Sequence, residues 1–451
     1  MSDIIAAIAT GRAPCAIGIL RLSGPGCAAL TGRVFTPKQP FADALDRRLV
    51  LGLLHDRQGR VIDECLGVVC RAPHSYTGEE TVELQCHGSP AMLAAGLEAL
   101  LAAGARQAGP GEFTRRAFLN GKLDLTQAEA VVDLIDAETA DAAANAAGQL
   151  GGALKRAIEP VYDGLTDLCS HFHAVLDYPD EDIEDFGAAE LSGALDRAGA
   201  ALQELLATYE KGRHLRQGVR AVLLGKPNAG KSSLLNRLAG YDRVIVTDIA
   251  GTTRDTVEEP VRVGRVLLRL TDTAGIREAG DAIEALGVAR SEQAAREAEL
   301  ALFVCDASQP LTDEDRRAIE AAKCAPRSLA LCNKSDLPAA VSPDELPFDT
   351  VLTVSARTGA GLDALPALLE GWFLGENACD GSLLTNPRQF GALDRASRAI
   401  ARAKTGLGLG VTPDAVLTDV EEAMAALGEV TGRTVREDIT NRIFERFCVG
   451  K

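Results

Sequence analysis

The segment from residue 219 to residue 232 constrains the fold more than any other part of this chain. It reads Val-Arg-Ala-Val-Leu-Leu-Gly-Lys-Pro-Asn-Ala-Gly-Lys-Ser, an apolar run that enters a glycine-rich loop, and helix-forming residues follow. Glycines let backbone N–H groups approach phosphate oxygens closely, and the N-terminus of the next helix adds a favourable dipole. The segment therefore predicts a strand, a phosphate-binding loop and a helix, with Lys231 on the β- and γ-phosphates and Ser232 on Mg²⁺.

Four later apolar runs place polar motifs in the order of a GTP-binding domain. They cover residues 266–270, 300–304, 329–332 and 351–354. The first run leads into Asp272-Thr273-Ala274-Gly275. An aspartate at this place holds Mg²⁺ through water, and the glycine N–H reaches the γ-phosphate.

The third and fourth runs lead into residues that suit guanine. Asn333-Lys334-Ser335-Asp336 follows the third run, and the Asp336 carboxylate can accept from N1–H and the exocyclic amine of guanine. Adenine lacks this pair of donors and leaves the carboxylate unpaired, so such a site discriminates strongly between the bases. Ser355-Ala356-Arg357 follows the fourth run, where a backbone N–H can reach the guanine carbonyl. Together these elements predict a GTPase domain.

The residues expected to drive hydrolysis differ from those of Ras-like proteins. Ile276 stands directly after Gly275, where Ras-like proteins carry the glutamine that orients water, so another group must do so. The phosphates also need positive charge. One interpretation is that the Asn228 amide oxygen binds a monovalent cation, with backbone carbonyls from residues 247–252 closing the cage. The other is that Asn228 only hydrogen-bonds its own loop.

The stretch Gly251-Thr252-Thr253-Arg254-Asp255 is expected in the first switch. Its spacing favours a threonine that completes the Mg²⁺ shell. The alternative is that the two threonines only reflect β-propensity at the start of a strand.

Bulk properties limit the classes of protein. The chain has 451 residues, enough for about two to four domains. Its net charge of −17 argues against wrapping nucleic acid by bulk charge. The 11 cysteines include no Cys-x-x-Cys and indicate free thiols in a reducing cytosol. The first residues do not resemble a signal peptide, and no apolar run reaches the length of a membrane span. We expect a cytoplasmic protein that does not associate with a membrane.

The amino-acid composition and the predicted secondary structure change along the chain. Residues 1–118 mix strand-like runs with glycine and proline and predict an α+β domain. Helical spacing over 126–154, 157–176 and 188–210 precedes an expected linker at 211–218, and helices are again predicted over 386–405, 412–428 and 434–446. We therefore predict a multidomain protein that combines α+β, all-α and α/β parts. Its segments are 1–118, a helical domain in two parts at 119–215 and 376–451, and an inserted P-loop, Ras-like GTPase domain at 216–375.

Several motifs resemble one family over essentially the whole chain. The nucleotide motifs at 225–236, 246–255 and 272–278 are similar to those of the tRNA-modification GTPase family MnmE, also called TrmE. So are residues 75–85, the run 110–125 and the terminal Cys448-Val-Gly-Lys451. The nucleotide motifs are shared with other GTPases, whereas 110–125 and the Cys-x-Gly-Lys end are much more specific.

The resemblance implies an N-terminal folate-binding domain that also forms a homodimer. It implies GTP hydrolysis that requires K⁺ and transient pairing of two GTPase domains. It further implies a heterotetramer with the FAD-containing partner MnmG, which installs an aminomethyl-type group, carboxymethylaminomethyl, at carbon 5 of the wobble uridine of certain tRNAs. A tetrahydrofolate derivative, in the 5,10-methylene or 5-formyl form, supplies the one-carbon unit.

The resemblance also assigns site residues. It implies K⁺ ligands at Asn228, Thr247, Ile249 and Thr252, Mg²⁺ ligands at Ser232 and Thr253, and a catalytic Glu284 that orients water. It implies folate contacts at Arg21, Glu83, Lys122 and Lys451. With the motifs, it implies GTP contacts at Asn228, Ala229, Gly230, Lys231, Ser232, Ser233, Thr247, Asp248, Ile249, Ala250, Gly251, Thr252, Thr253, Asp272, Thr273, Ala274, Gly275, Asn333, Lys334, Asp336, Ser355, Ala356 and Arg357.

Some of these residues have plainer interpretations. Without the resemblance, Glu284 is a solvated helix residue and each folate contact an ordinary polar side chain. Cys448 is either a buried C-terminal thiol or a reaction-site thiol. The family usually carries Pro-Pro-Gly-Arg-Gly-Gly where this chain has residues 11–16, Gly-Arg-Ala-Pro-Cys-Ala, which alters the loop before the first folate contact.

Two basic clusters are candidates for tRNA phosphates. Arg395, Arg398 and Arg402, with Lys404 nearby, share a helix face, and a second cluster comprises Lys211, Arg213, Arg216 and Arg220. The alternative for each is a solvated helix surface. At the level of function, the alternatives are a GTP-dependent switch in ribosome or RNA assembly without modification chemistry, and a folate-binding scaffold with a vestigial GTPase.

Overall fold

The computed structural model describes residues 3–11, 13–38, 46–177, 188–241, 258–272, 284–375, 380–434, 443–445 and 447–450. The chain divides into two compact units. The first comprises residues 1–132, 150–184 and 410–451, and the second comprises residues 133–149 and 185–409.

The strands are numbered in chain order. They are β1 Ile5–Ile8, β2 Cys15–Ser23, β3 Phe35–Pro37, β4 Val50–His55, β5 Val61–Cys70, β6 Thr81–Gly88, β7 Arg106–Gln107, β8 Val219–Leu224, β9 Glu258–Val263, β10 Val266–Asp272, β11 Leu300–Asp306, β12 Arg327–Asn333 and β13 Val351–Thr353.

The helices are numbered in the same way. They are α1 Cys27–Thr31, α2 Pro90–Ala102, α3 Glu112–Leu119, α4 Leu125–Ile135, α5 Ala140–Leu150, α6 Ala153–Asp177, α7 Ala188–Ala207, α8 Tyr209–Gln217, α9 Lys231–Tyr241, α10 Glu284–Glu297, α11 Asp313–Ala322, α12 Ala364–Phe373, α13 Pro387–Gly408 and α14 Pro413–Thr431.

The first unit contains a seven-stranded sheet in the order β3-β4-β5-β6-β2-β1-β7. Side chains alternate across its strands: in β6, Val82, Leu84 and Cys86 are buried, while Glu83 and Gln85 face the other way. The buried face packs on α2, where Leu93 and Leu100 enter the core. The polar residues of the opposite face are thereby placed together. The predicted α+β character of this region is confirmed.

The second unit contains a six-stranded sheet in the order β13-β12-β11-β8-β10-β9. All neighbouring pairs are parallel except β9 with β10. Every residue of β11 is buried, as expected when helices cover both faces of a parallel sheet. The carboxyl ends of β8, β10, β11 and β12 share one edge, which is where ligands bind in such folds. The predicted Ras-like α/β fold is confirmed.

Two predictions about helices need correction. The helical pattern over 126–154 is interrupted, because α4 ends at Ile135 and α5 begins at Ala140. The expected linker at 211–218 is instead α8, which buries Gly212 and Leu215. A Cβ on Gly212 would lie 2.0 Å from the carbonyl oxygen of Leu384, so close packing against that segment explains a helix that the polar sequence did not indicate.

The helices predicted over 157–176, 188–210, 386–405 and 412–428 correspond to α6, α7, α13 and α14. Helix α13 packs on α7 in the second unit, and α14 packs on α6 in the first. Most of the predicted helix at 434–446 lies outside the described residues. No helix in the described ranges is long and apolar enough to span a membrane.

Candidate functional site

The phosphate loop connects the end of β8 to the start of α9 and requires glycine at two places. Gly225 has φ 144° and Gly230 has φ 100°, both in the region that favours glycine. A Cβ on Gly225 would lie 2.1 Å from the carbonyl oxygen of Val304, and one on Gly230 would lie 2.1 Å from Nδ2 of Asn333. The loop therefore packs directly against β11 and the guanine motif.

Lys231 is 8% exposed, and its ammonium lies within the curve of this loop. Nζ donates to the carbonyl oxygens of Gly225 at 2.7 Å and Lys226 at 2.8 Å. From this position a P-loop lysine meets the β- and γ-phosphates. Ser232 and Ser233 follow on the first turn of α9 with exposed side chains, so the Ser232 hydroxyl is available to a metal ion.

Asn333 joins three segments of the site. It is 2% exposed, its Nδ2 donates to the carbonyl oxygen of Ala229 at 2.9 Å, and its Oδ1 accepts from the backbone N–H of Ala356 at 2.9 Å. The phosphate loop, the guanine motif and the Ser355–Arg357 segment are thus hydrogen-bonded through one amide. Asn333 therefore holds these loops together, and it can affect nucleotide binding without contacting the nucleotide.

Asp336 is held in the ionised form that guanine recognition needs. The Ser355 hydroxyl donates to Oδ1 at 2.5 Å, and Arg357 lies 2.7 Å from Oδ2. The Ser355 hydrogen bond, with the nearby Arg357 charge, lowers the pKa of the Asp336 carboxyl. An ionised carboxylate only accepts, which matches the two donors on the guanine edge. The Ser355 hydroxyl was missed by the sequence argument, which considered only backbone N–H groups there.

Asp306 is a second residue that the sequence argument missed. Its Oδ2 lies 2.6 Å from Nζ of Lys334, which has φ 66°. Burial raises the pKa of Asp306, but hydrogen bonds from Lys334 and Ser308 outweigh burial, so its pKa is lowered. The pair holds the lysine of the motif that contains Asp336, the residue predicted to bind guanine. Asp306 ends β11 at the ligand-binding edge of the sheet, and that position was the signal that could have revealed it.

A cavity of about 500 Å³ lies beside these residues. It is lined by phosphate-loop residues 226–228, by Asp306 and Lys334, and by the residues around the start of α11. Its wall is rich in charged groups, so its chemistry suits a polar occupant.

Asn228 occupies the loop with φ 62° and an exposed side chain. Its amide makes no hydrogen bond to the part of the chain that the structure describes. The interpretation that Asn228 only hydrogen-bonds its own loop is therefore not supported among these residues. An amide oxygen that is free and next to the phosphate position suits a hard cation.

Several predicted residues lie at or beyond the edge of the described ranges. Asp272 ends β10 beside Leu223 of β8, and Glu284 is the first residue of α10. Outside the described residues lie Thr247, Asp248, Ile249, Ala250, Gly251, Thr252, Thr253, Thr273, Ala274, Gly275 and Lys451.

The first unit brings two of the predicted folate residues together. Arg21 of β2 and Glu83 of β6 are direct cross-strand partners, and Nε of Arg21 lies 2.7 Å from Oε1 of Glu83. The guanidinium also lies 5.6 Å from the ring centroid of Tyr76 and 5.8 Å from that of Phe113. Lys122 instead donates to the carbonyl of Pro73 at 3.2 Å. The result is a cation and a carboxylate beside two aromatic rings, a setting that suits a flat heterocycle.

The C-terminal segment reaches this cluster. Nη1 of Arg21 lies 3.4 Å from the carbonyl oxygen of Gly450, and Val449 forms a bridge with Pro110. The carbonyl of Cys448 accepts from the N–H of Gly111 at 3.3 Å, and the Cys448 side chain is exposed. The alternative of a buried thiol at Cys448 is therefore wrong.

Ion pairs occupy much of the two basic clusters considered for tRNA. In the first, Arg398 lies 2.8 Å from Asp394, and Lys404 pairs with Asp196. In the second, Arg213 lies 2.5 Å from Glu299 and Arg216 lies 2.8 Å from Asp133. Arg213 and Arg216 are 23% and 30% exposed, which favours a structural role for these two. Arg398 and Lys404 are 73% and 51% exposed, and ion pairs at such exposed positions do not distinguish a structural role from phosphate contact.

Comparisons with known proteins agree with this geometry. A sequence profile of the MnmE helical domain matches residues 125–448, and one of the GTP-binding protein TrmE N-terminus matches residues 4–122. The tRNA modification GTPase MnmE of Roseiflexus sp. (strain RS-1) is 45% identical over 465 residues, covering 100% of this chain and 99% of the relative. The same-named proteins of Chloroflexus aurantiacus and Aquifex aeolicus are 43% and 41% identical, each covering 100% of both chains.

Among solved structures, the G domain of the T. maritima FeoB iron transporter aligns with 33% of this chain and 94% of that chain, at 22% identity and a TM-score of 0.25. That likeness is too slight to carry an argument. The profile matches and the full-length relatives are sufficient: this chain belongs to the MnmE (TrmE) family of tRNA modification GTPases.

Proposed function

We propose that this GTPase uses K⁺ where other GTPases use an arginine finger. The observation that carries the proposal is the Asn228 amide, which lies in the phosphate loop, is exposed, and has no hydrogen-bond partner among the described residues. Thr247, Ile249 and Thr252 would complete the ligand set. A bound K⁺ would supply positive charge to the phosphates during hydrolysis.

The protein's own residues divide the remaining work. Lys231 binds the β- and γ-phosphates, while Asp336, held by Ser355 and Arg357, selects guanine. Ser232 and Thr253 would hold Mg²⁺, with Asp272 acting through water. Glu284, at the start of α10, orients the attacking water in place of the glutamine that Ile276 replaces.

The K⁺ proposal is tested by turnover of the full chain in KCl and in NaCl. We expect hydrolysis to be faster in KCl by about 100-fold, the lower end of the effect that one preorganised group has on a charged transition state. Asn228→Ala should remove that difference, and Asn236→Ala, exposed on α9, should keep it. Equal wild-type rates in the two salts would refute the proposal.

We infer that the biological reaction is modification of the wobble uridine in certain tRNAs, carried out with the FAD-containing partner MnmG. The support is the full-length similarity to proteins named tRNA modification GTPase MnmE. The Arg21–Glu83 cluster would bind the tetrahydrofolate derivative, with Glu83 on the pterin and Lys122 and Lys451 as cations for the glutamate tail. Arg21 would pair with Glu83 to hold its carboxylate in place.

The arrangement of the assembly belongs to the same proposal. The N-terminal segment 1–118 would form a homodimer, and two such chains would form a heterotetramer with MnmG. Segments 119–215 and 376–451 would form one helical domain around the GTPase domain at 216–375. The cytoplasmic location expected from the sequence stays a prediction.

Mass spectrometry of wobble nucleosides from cells lacking this protein tests the reaction. Loss of the carboxymethylaminomethyl group, restored by the wild-type chain, is the expected result. Normal nucleosides, together with cosedimentation of the protein with ribosomal subunits, would instead favour an assembly switch.

A further inference from the structure

A buried ion pair joins the phosphate loop to helix α11. Nζ of Lys226, the second residue of the loop, lies 2.9 Å from Oδ2 of Asp315. The Lys226 side chain is 11% exposed and that of Asp315 is 0% exposed. Removing two charges from water is costly, and the pair is tolerated only where geometry compensates. Because this ion pair is attached to the phosphate loop, we ask what it contributes to the loop.

Asp315 has a structural duty at the start of α11, but that duty does not explain its burial. It is the third residue of the helix and forms a capping box with Thr312. Its Oδ2 accepts from the Thr312 N–H at 2.9 Å and from the Thr312 hydroxyl at 2.8 Å, while its Oδ1 has no partner in the described structure. A capping box forms equally well at an exposed helix end. The buried carboxylate therefore needs the Lys226 charge.

Lys226 is also held through its backbone. Its carbonyl oxygen accepts from Nζ of Lys231 at 2.8 Å and from the N–H of Ala229 at 3.4 Å. The side chain of residue 226 is thus fixed by α11, and its backbone is fixed by the lysine that meets the phosphates. Asn228 lies within the turn that these contacts close.

We propose that Asp315 is a positioning residue, which acts through Lys226 to hold the phosphate loop in the shape that binds guanine nucleotide. The inference goes beyond the proposed function: it needs neither K⁺ nor tRNA, only nucleotide binding. Small displacements of positioned groups cost binding and rate out of proportion to their size. A rigid attachment to α11 prevents such displacement.

The experiment measures the dissociation constant of the full chain for a fluorescent GDP analogue, together with the thermal midpoint of each variant. The variants are Lys226→Met, Asp315→Asn, their combination, and Lys226→Arg. Glu320→Gln is the control, because Glu320 lies on the same helix, away from the cavity, and its side chain is 70% exposed.

Lys226→Met and Asp315→Asn should each weaken GDP binding by about tenfold, and the combination should bind no more weakly than either one, because both remove the same contact. Lys226→Arg should stay within about twofold of the wild type, since it keeps the charge. Glu320→Gln should bind GDP as the wild type does. A structural role confined to α11 would lower the thermal midpoint without this pattern in GDP affinity.

Three results would overturn the proposal. The first is wild-type GDP affinity in Asp315→Asn. The second is a combined variant whose loss is the product of the two single losses. The third is a loss in Lys226→Met alone, which would show that Lys226 contacts the nucleotide itself. If Asp315→Asn does not fold, Asp315→Ser, whose smaller side chain buries no unpaired amide donor, takes its place in the same comparisons.

Discussion

The side-chain amide of Asn333 donates to the carbonyl oxygen of Ala229 at 2.9 Å, so the guanine motif is hydrogen-bonded directly to the phosphate loop. Both groups are buried, and the same amide accepts from Ala356. The loops predicted to bind the two ends of the nucleotide are therefore joined by buried hydrogen bonds.

Asn333→Ala should weaken binding of both GDP and GTP, because it removes two buried hydrogen bonds and leaves their partners unsatisfied. At about 1 to 3 kcal/mol for each unsatisfied group, we expect affinity to fall by about 100-fold. Isothermal titration with GDP measures the change. Asn236→Ala on the exposed side of α9 is the control, and equal affinities for the two variants would contradict the role assigned to Asn333.

Asp336→Asn should change base selectivity. An amide can donate to a carbonyl at position 2 of the base but cannot accept from both donors of guanine, so GTP binding should fall while xanthosine triphosphate binding rises. We expect the loss for GTP to be about 100-fold or more, as for other sites built to hydrogen-bond one substrate group. Competition against a fluorescent nucleotide gives both affinities. Unchanged preference for guanine would exclude Asp336 as the selecting residue.

Glu284→Ala should keep GTP binding and lose turnover, because the side chain is proposed to orient water and not to hold the nucleotide. A loss of about 100-fold in the turnover rate is expected for removal of a positioned acid–base group. Single-turnover hydrolysis in KCl measures it. Glu297→Ala, exposed at the other end of α10, should hydrolyse GTP normally. Retained turnover in Glu284→Ala would mean that Glu284 is only a solvated helix residue.

Glu83→Gln should weaken binding of 5-formyl-tetrahydrofolate, because it removes the charge that pairs with Arg21 and faces the pterin. The expected loss is about tenfold to 100-fold, typical of a hydrogen bond to a charged group. Binding is followed by fluorescence quenching on the full chain. Gln85→Ala, two residues along the same strand and on the same face, serves as the control. Wild-type affinity in Glu83→Gln would show that the Arg21–Glu83 cluster does not bind the folate.

The stability of the second unit should depend on pH through Glu299. Burial raises the pKa of this carboxyl, but hydrogen bonds from His214, Arg213 and the N–H of Arg220 outweigh burial and lower its pKa from 4.5 to about 2. A lowered pKa contributes stability that is complete above pH 4.5 and is lost as the pH falls towards about 2. The shift corresponds to an upper value of about 3 kcal/mol.

Glu299→Gln should therefore have a lower thermal midpoint than the wild type at neutral pH. This difference in thermal midpoint, the gap, should narrow between about pH 5 and pH 3. Scanning calorimetry across this range measures the gap. Glu297→Gln, exposed on α10, should show no such narrowing. A gap that stays constant with pH would mean that the Glu299 charge does not contribute.

Much of the fold could be predicted because the relevant patterns are local. Each parallel strand of the second sheet is a largely apolar run that leads into a polar motif, and parallel strands bring those motifs to one edge. Local patterns also gave one wrong prediction, the linker at 211–218. The structure has helix α8 there, and Gly212 allows it to pack closely against Leu384. Most of its nine residues are charged or polar, so its composition resembles that of a linker.

The sequence by itself determined that this is a GTPase, since the residues predicted to bind phosphate and base are contiguous in short motifs whose chemistry is set by residue type and spacing. Only the tertiary structure decided which distant residues hold those motifs in place. Asp306 beside Lys334 and Asp315 beneath Lys226 are separated from their partners by 28 and 89 positions. Such pairs depend on how strands and helices pack, and a linear pattern carries no record of that packing.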